Sequence, residues 1–383
     1  MGRQSPPDLL VLFFIFQAFC YRHNRLIRIW FICSARIVPE LICLLCLFLP
    51  ILSRKFEMRK NLKIIIPVAG IGTRLQPHTF TVPKPLISIA GKPILAHIIQ
   101  PLLALKPEEI IFVIGHLGHH IVDYIKATYK FKARFVEQTE LLGLGFAIHL
   151  ALQDLTNGPI LVVLGDTIAK TDFTSFIKHG DNVIGLQKVD DPRRFGVAVV
   201  EDERIIALEE KPNKPRSDLA VIGLYYFEES DNLKKYLSKV ITLGQKTGGE
   251  VQLTDAMEFM ARDGHIIKPF LVDDWFDCGK RETLLSTNRK LLLESSEVNN
   301  HPGSIIIPPV YIASSATLED SIIGPYVSIS EGAQIVRSII RDSVICDKAI
   351  VENSLLESSL IGDKAIVRGT FNRFNVGGSS EVG

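Results

Sequence analysis

Residues 62–86 read "LKIIIPVAGIGTRLQPHTFTVPKPL". Leu62 to Val68 is an apolar run broken by Lys63 and Pro67, the pattern of a buried strand. The run empties into Gly70 and Gly72, then Arg74, and ends with Lys84 held between Pro83 and Pro85. Glycines at a strand end let backbone N–H groups come close to an anion. Arg74 can fork across oxyanion oxygens. The two prolines fix the backbone around Lys84 and so define where its ammonium sits. The stretch is not a GxxxxGK[ST] loop, and Leu75 stands where GxGxxG needs its third glycine. A tight turn with solvated charges is the alternative reading. Two cations at fixed offsets in a proline frame weigh against it.

Outward from this stretch, strand-like and helix-like segments alternate. "LKIIIPV" leads to "PILAHIIQPLLAL", "EIIFVIG" to "HHIVDYIKATY", and "FKARFVEQ" to "GFAIHLALQDL", with "PILVVLGD" next. This order predicts an α/β domain, a mostly parallel Rossmann-like sheet with helices on both faces. Ligands of such sheets sit beyond the strand ends. Three signals fall there: Gly70 to Arg74, Gln138 to Gly145, and Asp166.

The chain has 383 residues, 47% hydrophobic and 22% charged, enough for two or three folded domains. Net charge is +1, which gives no general reason to expect nucleic acid as a partner. Among six cysteines, Cys43 and Cys46 alone have CxxC spacing, without a second pair, so neither a metal knuckle nor a disulfide framework is indicated. Residues 1–57 differ from the rest in their apolar runs, such as "LLVLFFIFQAF" and "IVPELICLLCLFLPIL". The longest run is short for a membrane span and lacks a cleavage pattern. We read 1–57 as an apolar extension outside the native fold, with translation starting at Met58. A membrane anchor is the competing reading, and otherwise no membrane partner is expected.

After Ser304 the texture changes to Ile, Val and Ser. Apolar residues recur five or six apart: Ile312, Leu318, Ile323, Ile329, Ile335, Ile340, Ile345, Ile350, Leu356, Ile361 and Ile366. Small or β-branched residues follow several of them, at Ala316, Val327, Ala333, Ala349 and Ala365. A period near six fits neither a helix face nor an alternating strand, and predicts a hexapeptide-type, left-handed parallel β-helix of three or four coils. A sandwich of short strands is the alternative. The expected organisation is therefore 1–57, the extension; 58–295, the α/β domain; 304–370, the β-helix; and 371–383, a loose tail.

"GIGTRLQPHTFTVPKPL" resembles the signature of the sugar-phosphate nucleotidylyltransferases, G-x-G-T-R-L-x-P-x-T-x-x-x-P-K-P, and the resemblance runs from 61 to about 293. The chain looks most like the glucose-1-phosphate thymidylyltransferases that carry a β-helix. The resemblance implies a reaction that joins a sugar 1-phosphate to a nucleoside triphosphate and releases pyrophosphate. It implies Arg74 and Lys84 as catalytic cations, with Ala69, Gly70, Gly72 and Thr73 at the nucleotide. Ala69 replaces a glycine of many members, as it does in uridylyltransferases. In "EQTELLGLGFAI", Gln138 would read a pyrimidine edge and Gly143 would back the base. Asp166 in "LVVLGDT" and Asp277 in "DDWFDCGKRE" would hold Mg²⁺. Thr167 and Lys280 depart mildly from the family pattern.

On the sugar side, the resemblance implies Gly196, Glu210, Lys211, Gly223, Tyr225 and Glu250. Simpler readings stand beside these. Asp166 could belong to a helix start at "TDFTSFIKH", although Thr167 or Thr171 would cap it equally well. Glu250 could be a first-turn helix glutamate. Glu210 and Lys211 could be an exposed ion pair. Adjacent strand residues point to opposite faces, so these two share a site only where the strand bends, and Pro212 fits such a break. Cys278 reads as a packed thiol rather than a nucleophile.

The expected product is a nucleotide sugar, best read as glucose 1-phosphate joined to dTTP. UTP with glucose 1-phosphate and GTP with mannose 1-phosphate are alternatives. A non-catalytic sugar-nucleotide-binding regulator would lack the Asp166 and Asp277 pair. A β-helix acyltransferase would need a histidine among its coils, and His301 precedes them. A cytoplasmic homo-oligomer is expected, because a short β-helix leaves an apolar end and open edges to cover.

Overall fold

The computed structural model describes residues 61–294 and 301–369, all within one compact unit, Ser53–Gly383. The extension 1–57, Met58 and the tail 371–383 lie outside the described residues. Among the described residues, no helix is long and apolar enough to cross a membrane.

The opening run forms β1 (Lys63–Pro67). A hairpin follows, β2 (Ser88–Ile89) and β3 (Lys92–Pro93), then α1 (Ile94–Leu102), β4 (Glu109–Ile114), α2 (Gly118–Thr128), β5 (Ala133–Glu137), α3 (Leu144–Leu152) and β6 (Ile160–Val163). β6, β1, β4 and β5 lie side by side and parallel. The largely apolar runs of β6, β1 and β4 reflect burial on both faces, whereas β5, at the edge, carries Arg134 and Glu137 and is only half-buried. Ile64 and Ile66 of β1 join one core with Ile110 and Phe112 of β4, while Ile65 joins the opposite core with Ile111 and Val113.

The sheet continues beyond β6 through antiparallel strands, giving nine strands among the described residues. After β7 (Thr167–Lys170) and α4 (Phe173–Lys178) come β8 (Asn182–Lys188), β9 (Gly196–Glu201), β10 (Arg204–Glu210) and β11 (Leu219–Phe227). β11 pairs antiparallel with β6 and β8, and contacts β9. The parallel core is thus widened into a mixed sheet. Helices α5 (Ser230–Thr242) and α6 (Leu253–Arg262) precede β12 (Lys268–Leu271), which lies beside β8, and β13 (Asp274–Asp277), which pairs antiparallel with the distant β7. Helix α7 (Arg281–Leu292) leads out of the domain.

Residues 305–368 wind as four coils of a left-handed β-helix, each contributing one strand to three parallel four-stranded sheets. Ile305 stacks on Ile322, Ile339 and Leu355 in turn. Serines explain part of the odd composition. The backbone N–H groups of Ser321, Ser338 and Ser354 each donate to the Oγ of the serine one coil before, at 3.1–3.2 Å. The preceding residues Asp320, Arg337 and Asn353 have positive φ, which turns each corner.

One detail of the hexapeptide reading shifts. Val351 and Val367, not Ile350 and Ile366, point inward; Val351 is fully buried, and Ile366 is 56% exposed. In a run of consecutive β-branched residues either neighbour can fill the interior. Six residues on from Ile345 and Ile361 are Val351 and Val367, and that spacing prevails over five.

Candidate functional site

The C-terminal ends of β1, β5 and β6 open on one edge of the sheet, and the signature loop folds over it. Gly72 takes φ +71°, and a β-carbon there would lie 3.0 Å from Thr79 and 3.2 Å from the β-carbon of Lys84. Thr79 Oγ1 donates to the Gly72 carbonyl (3.0 Å). The loop therefore closes directly against Lys84, and glycine suits both the positive φ and the close approach. Gly70 is open, with nothing within 4 Å of where a β-carbon would stand. Thr73 is exposed, and Ala69 is buried against Gly115.

Lys84 is buried, and its ammonium donates to Asp166 Oδ2 at 2.5 Å. Burial pushes the Asp166 carboxyl upward, but Lys84, and then Arg74, hold it below the usual carboxylate range. Asp166 follows β6. The simpler reading of a helix cap fails, because Asp172 caps α4 through a hydrogen bond from Thr174 N–H (2.9 Å), and Thr167 lies in β7. Thr167 is the register partner of Asp277 on β13. Cys278 N–H donates to the Asp166 carbonyl (3.1 Å), so the two carboxylates belong to one corner. Gly279 N–H donates to Asp277 Oδ1 at 2.7 Å, and a β-carbon on Gly279 would meet Arg74 Nη2 at 3.2 Å. Arg74, Lys84, Asp166 and Asp277 thus converge. Cys278 is fully buried, with its thiol pushed up to about 12 by burial, which suits packing rather than attack.

Asp166, in the turn just before β7, and Asp277, at the end of the paired strand β13, are oxygen donors suited to Mg²⁺, which takes one or two carboxylates and completes its shell with waters and phosphate oxygens. Among the described residues, no cluster of three His, Cys, Asp or Glu offers an all-protein cage. The donor set fits a metal shared with substrate.

Gln138 is buried after β5, and its Nε2 donates to the Gly143 carbonyl (3.4 Å). Gly143 has φ +105°, and a β-carbon there would clash with Glu250 and Val251 at 2.7 Å. Glu250 is exposed and lies before α6, which starts at Leu253, so it is not a first-turn glutamate.

At the far side, Gly196 faces Glu210 in the β9–β10 register. β10 ends at Glu210, and Lys211 turns with φ 46°, a bend that brings the two side chains to the same side. They form an ion pair at 3.0 Å, with Lys211 mostly exposed and Glu210 mostly buried. Tyr225 is buried; burial, Glu210 and Asp166 all raise its phenol. Gly223 has φ +85° at a β-bulge, where a β-carbon would meet Leu164 at 2.5 Å.

Two features escaped the sequence. Thr254 Oγ1 donates to Glu210 Oε2 (3.1 Å) and so orients it from α6. Trp275 packs edge-on against Phe195 at 4.9 Å, and its buried Nε1 has no hydrogen-bond partner among the described residues. Both rings line a cleft of about 390 Å³ with Asp277, Arg194 and Lys290. Trp275 shares a face with Asp277, two residues on, which is the signal that could have drawn it in.

The family model for nucleotidyl transferases matches residues 63–294. Bifunctional protein GlmU of Methanococcus aeolicus is 37% identical over 230 residues, 60% of this chain and 54% of that protein. The chain thus spans about half the length of the GlmU relatives it matches. Glucose-1-phosphate thymidylyltransferase of Streptomyces antibioticus is 28% identical over 320 residues, 76% of this chain and 88% of that one. A Bacillus anthracis structure described as a glucose-1-phosphate thymidylyltransferase in complex with sucrose superposes with TM-score 0.53 at 26% identity, covering 63% of this chain and 98% of that one.

Proposed function

This chain belongs to the nucleotidyl transferase family, and from that premise we propose that it joins a sugar 1-phosphate to a nucleoside triphosphate, giving a nucleotide sugar and pyrophosphate. The convergence of Arg74, Lys84, Asp166 and Asp277 at the strand ends carries this reading. The sugar phosphate is already an anion at neutral pH, so no general base is needed. One of its oxygens bonds to the α-phosphorus, the α–β bond breaks, and pyrophosphate leaves. Catalysis is then positioning and charge neutralisation. Arg74 would meet the charge that grows on the leaving pyrophosphate. Lys84 and Lys211 would offset repulsion between the two anionic reactants. Asp166 and Asp277 would hold Mg²⁺, which when bound supplies charge to the phosphate oxygens.

Gln138 supports a pyrimidine base, since a side-chain amide pairs with an imide edge through a donor and an acceptor. Ala69 and Gly70, with Gly72 and Thr73, would lie along the triphosphate, and Gly143 behind the base. Gly196, Glu210, Lys211, Gly223, Tyr225 and Glu250 would face the sugar phosphate. Glucose 1-phosphate with dTTP is our first assignment, favoured by the Streptomyces relatives that align over most of their length. UTP is second. A cytoplasmic setting follows from these substrates. Pyrophosphate release measured across a matrix of nucleotides and sugar 1-phosphates tests the reading. Turnover is expected with a pyrimidine triphosphate, and silence in every combination would refute enzymatic function.

The β-helix suits assembly. Its outer ladder Ile305, Ile339 and Leu355 is 60%, 39% and 70% exposed. We expect a homo-oligomer whose contacts include residues 305–367. Light scattering should show full-length protein as an oligomer, and a chain ended near Asn300 as smaller or insoluble. A full-length monomer, or an unchanged state after truncation, would remove the assignment.

A further inference from the structure

The β-helix touches the signature loop on both sides of Lys84. After Lys84 the chain makes a 3₁₀ turn, with Leu86 N–H on the Pro83 carbonyl (2.8 Å) and Ile87 N–H on the Lys84 carbonyl (3.1 Å). It then enters the β2–β3 hairpin, tied back by Ile94 N–H to Ile87 O (3.0 Å). The hairpin tip, Ala90 and Gly91, has φ 45° and 81° and presses on the β-helix. A β-carbon on Gly91 would lie 2.4 Å from the Tyr311 ring, so the ring lies flat on the glycine. Ala90 N–H donates both to Asn288 Oδ1 on α7 (2.9 Å) and to Ser328 Oγ on the second coil (3.2 Å). Ser328 Oγ also donates to Asn288 Oδ1 (2.6 Å), and Asn288 Nδ2 donates to the Tyr326 carbonyl (3.3 Å). Asn288 and Ser328 are fully or almost fully buried, so this polar knot is shielded from water and geometrically strict. On the other side, His78 packs against Gly362 of the fourth coil, where a β-carbon would meet Nδ1 at 3.0 Å. His78 lies four residues past Arg74 and adjoins Thr79, whose hydroxyl closes the loop on Gly72.

We propose that Tyr311, Ser328 and Asn288 are positioning residues: the β-helix is a buttress that holds the signature loop, and with it Lys84, in register with the phosphates. The proposal rests on the nucleotidyl transfer reading above. Ala90 lies six residues past Lys84, and the chain between them is taken up by the 3₁₀ turn and the first strand of the hairpin, so a shift of the tip is passed on rather than absorbed. Misplacement of a reacting group by about 1 Å can cost as much as about a hundredfold in rate.

The test uses the full chain with Tyr311→Ala, Tyr311→Phe and Val351→Ala. Tyr311→Ala removes the ring on Gly91. Tyr311→Phe keeps it. Val351→Ala loosens the β-helix interior without touching residues 70–93. Amide hydrogen exchange over 84–93 and the kcat and KM of pyrophosphate release are measured together. Tyr311→Ala is expected to speed exchange there and to lower kcat about tenfold with KM little changed, while Tyr311→Phe, which keeps the ring on Gly91, has the smaller effect on both. Val351→Ala should lower the melting temperature alone. Unchanged exchange in Tyr311→Ala, an unchanged kcat, or an equal loss of kcat in Val351→Ala would each overturn the proposal. If the wild-type protein turns over no substrate pair, the functional reading fails, and the exchange result still decides whether the β-helix holds the loop.

Discussion

Asp166→Asn and Asp277→Asn will each lower turnover by about a thousandfold, the scale on which removing one preorganised charge contact acts in a water-poor site. The two will differ in stability. Asp166 is the counter-charge of buried Lys84, at 2.5 Å. Asparagine at 166 leaves that ammonium without a negative partner. Breaking a fully buried pair costs about 3–5 kcal/mol, and a value of about 2 is expected here because 36% of the Asp166 side chain reaches solvent. Asp277 instead accepts from Gly279 N–H, which an asparagine oxygen can also do, so its replacement should leave the melting temperature near wild type.

The pH dependence separates them further. Lys84 and Arg74 lower the folded-state pKa of Asp166. Its stabilisation is therefore complete above the unfolded value of about 3.9 and is lost as pH falls through the folded value. Thermal melts of wild type and Asp166→Asn should differ most above about pH 4 and converge in stronger acid. A constant difference at all pH, or near-normal turnover of either variant at saturating Mg²⁺, would remove that residue from the assigned role.

How much of this site the sequence disclosed follows from the range of each interaction. β1, β4 and β6 were readable because burial on both faces writes a nearly continuous apolar run. The bend at Lys211 was readable from Pro212, one residue away. The Asp166–Lys84 pairing spans 82 residues and was not readable: the signature pointed to Lys84 and a strand end to Asp166, but nothing in either segment joined the two. What stayed hidden are contacts without a local pattern. Thr254 reaches Glu210 across 44 residues, and nothing around "LTDAM" marks it. Asn288, Ser328 and Ala90 meet only because the β-helix docks on the hairpin. Ile350 and Val351 are both β-branched and adjacent, so hydropathy could not say which faces inward, and coil geometry chose the valine.

Lys84→Ala should be the most damaging single change at the signature loop. Its ammonium is buried and fixed by Pro83, Pro85 and the closure of Gly72, so its value lies in where it is held. Repulsion between the two anionic reactants is greatest as they close in the transition state, and a cation held in place between them binds that state better than the ground state. The expected result is a fall in kcat of about a thousandfold with KM changed by only about twofold to threefold. Arginine should not restore it, because a planar fork cannot occupy the space of a compact ammonium whose β-carbon lies against Gly72. Gly72→Ala tests the same geometry without altering charge. An added β-carbon would meet Thr79 at 3.0 Å and Lys84 at 3.2 Å, at a φ of +71° that costs an L-residue about 1–2 kcal/mol. It should lower kcat in the same direction as Lys84→Ala while the total charge of the site is intact. If Lys84→Ala raised KM and left kcat alone, Lys84 would be a binding residue only. If Gly72→Ala were as active as wild type, charge near the phosphates, rather than its exact placement by the loop, would be what the reaction requires.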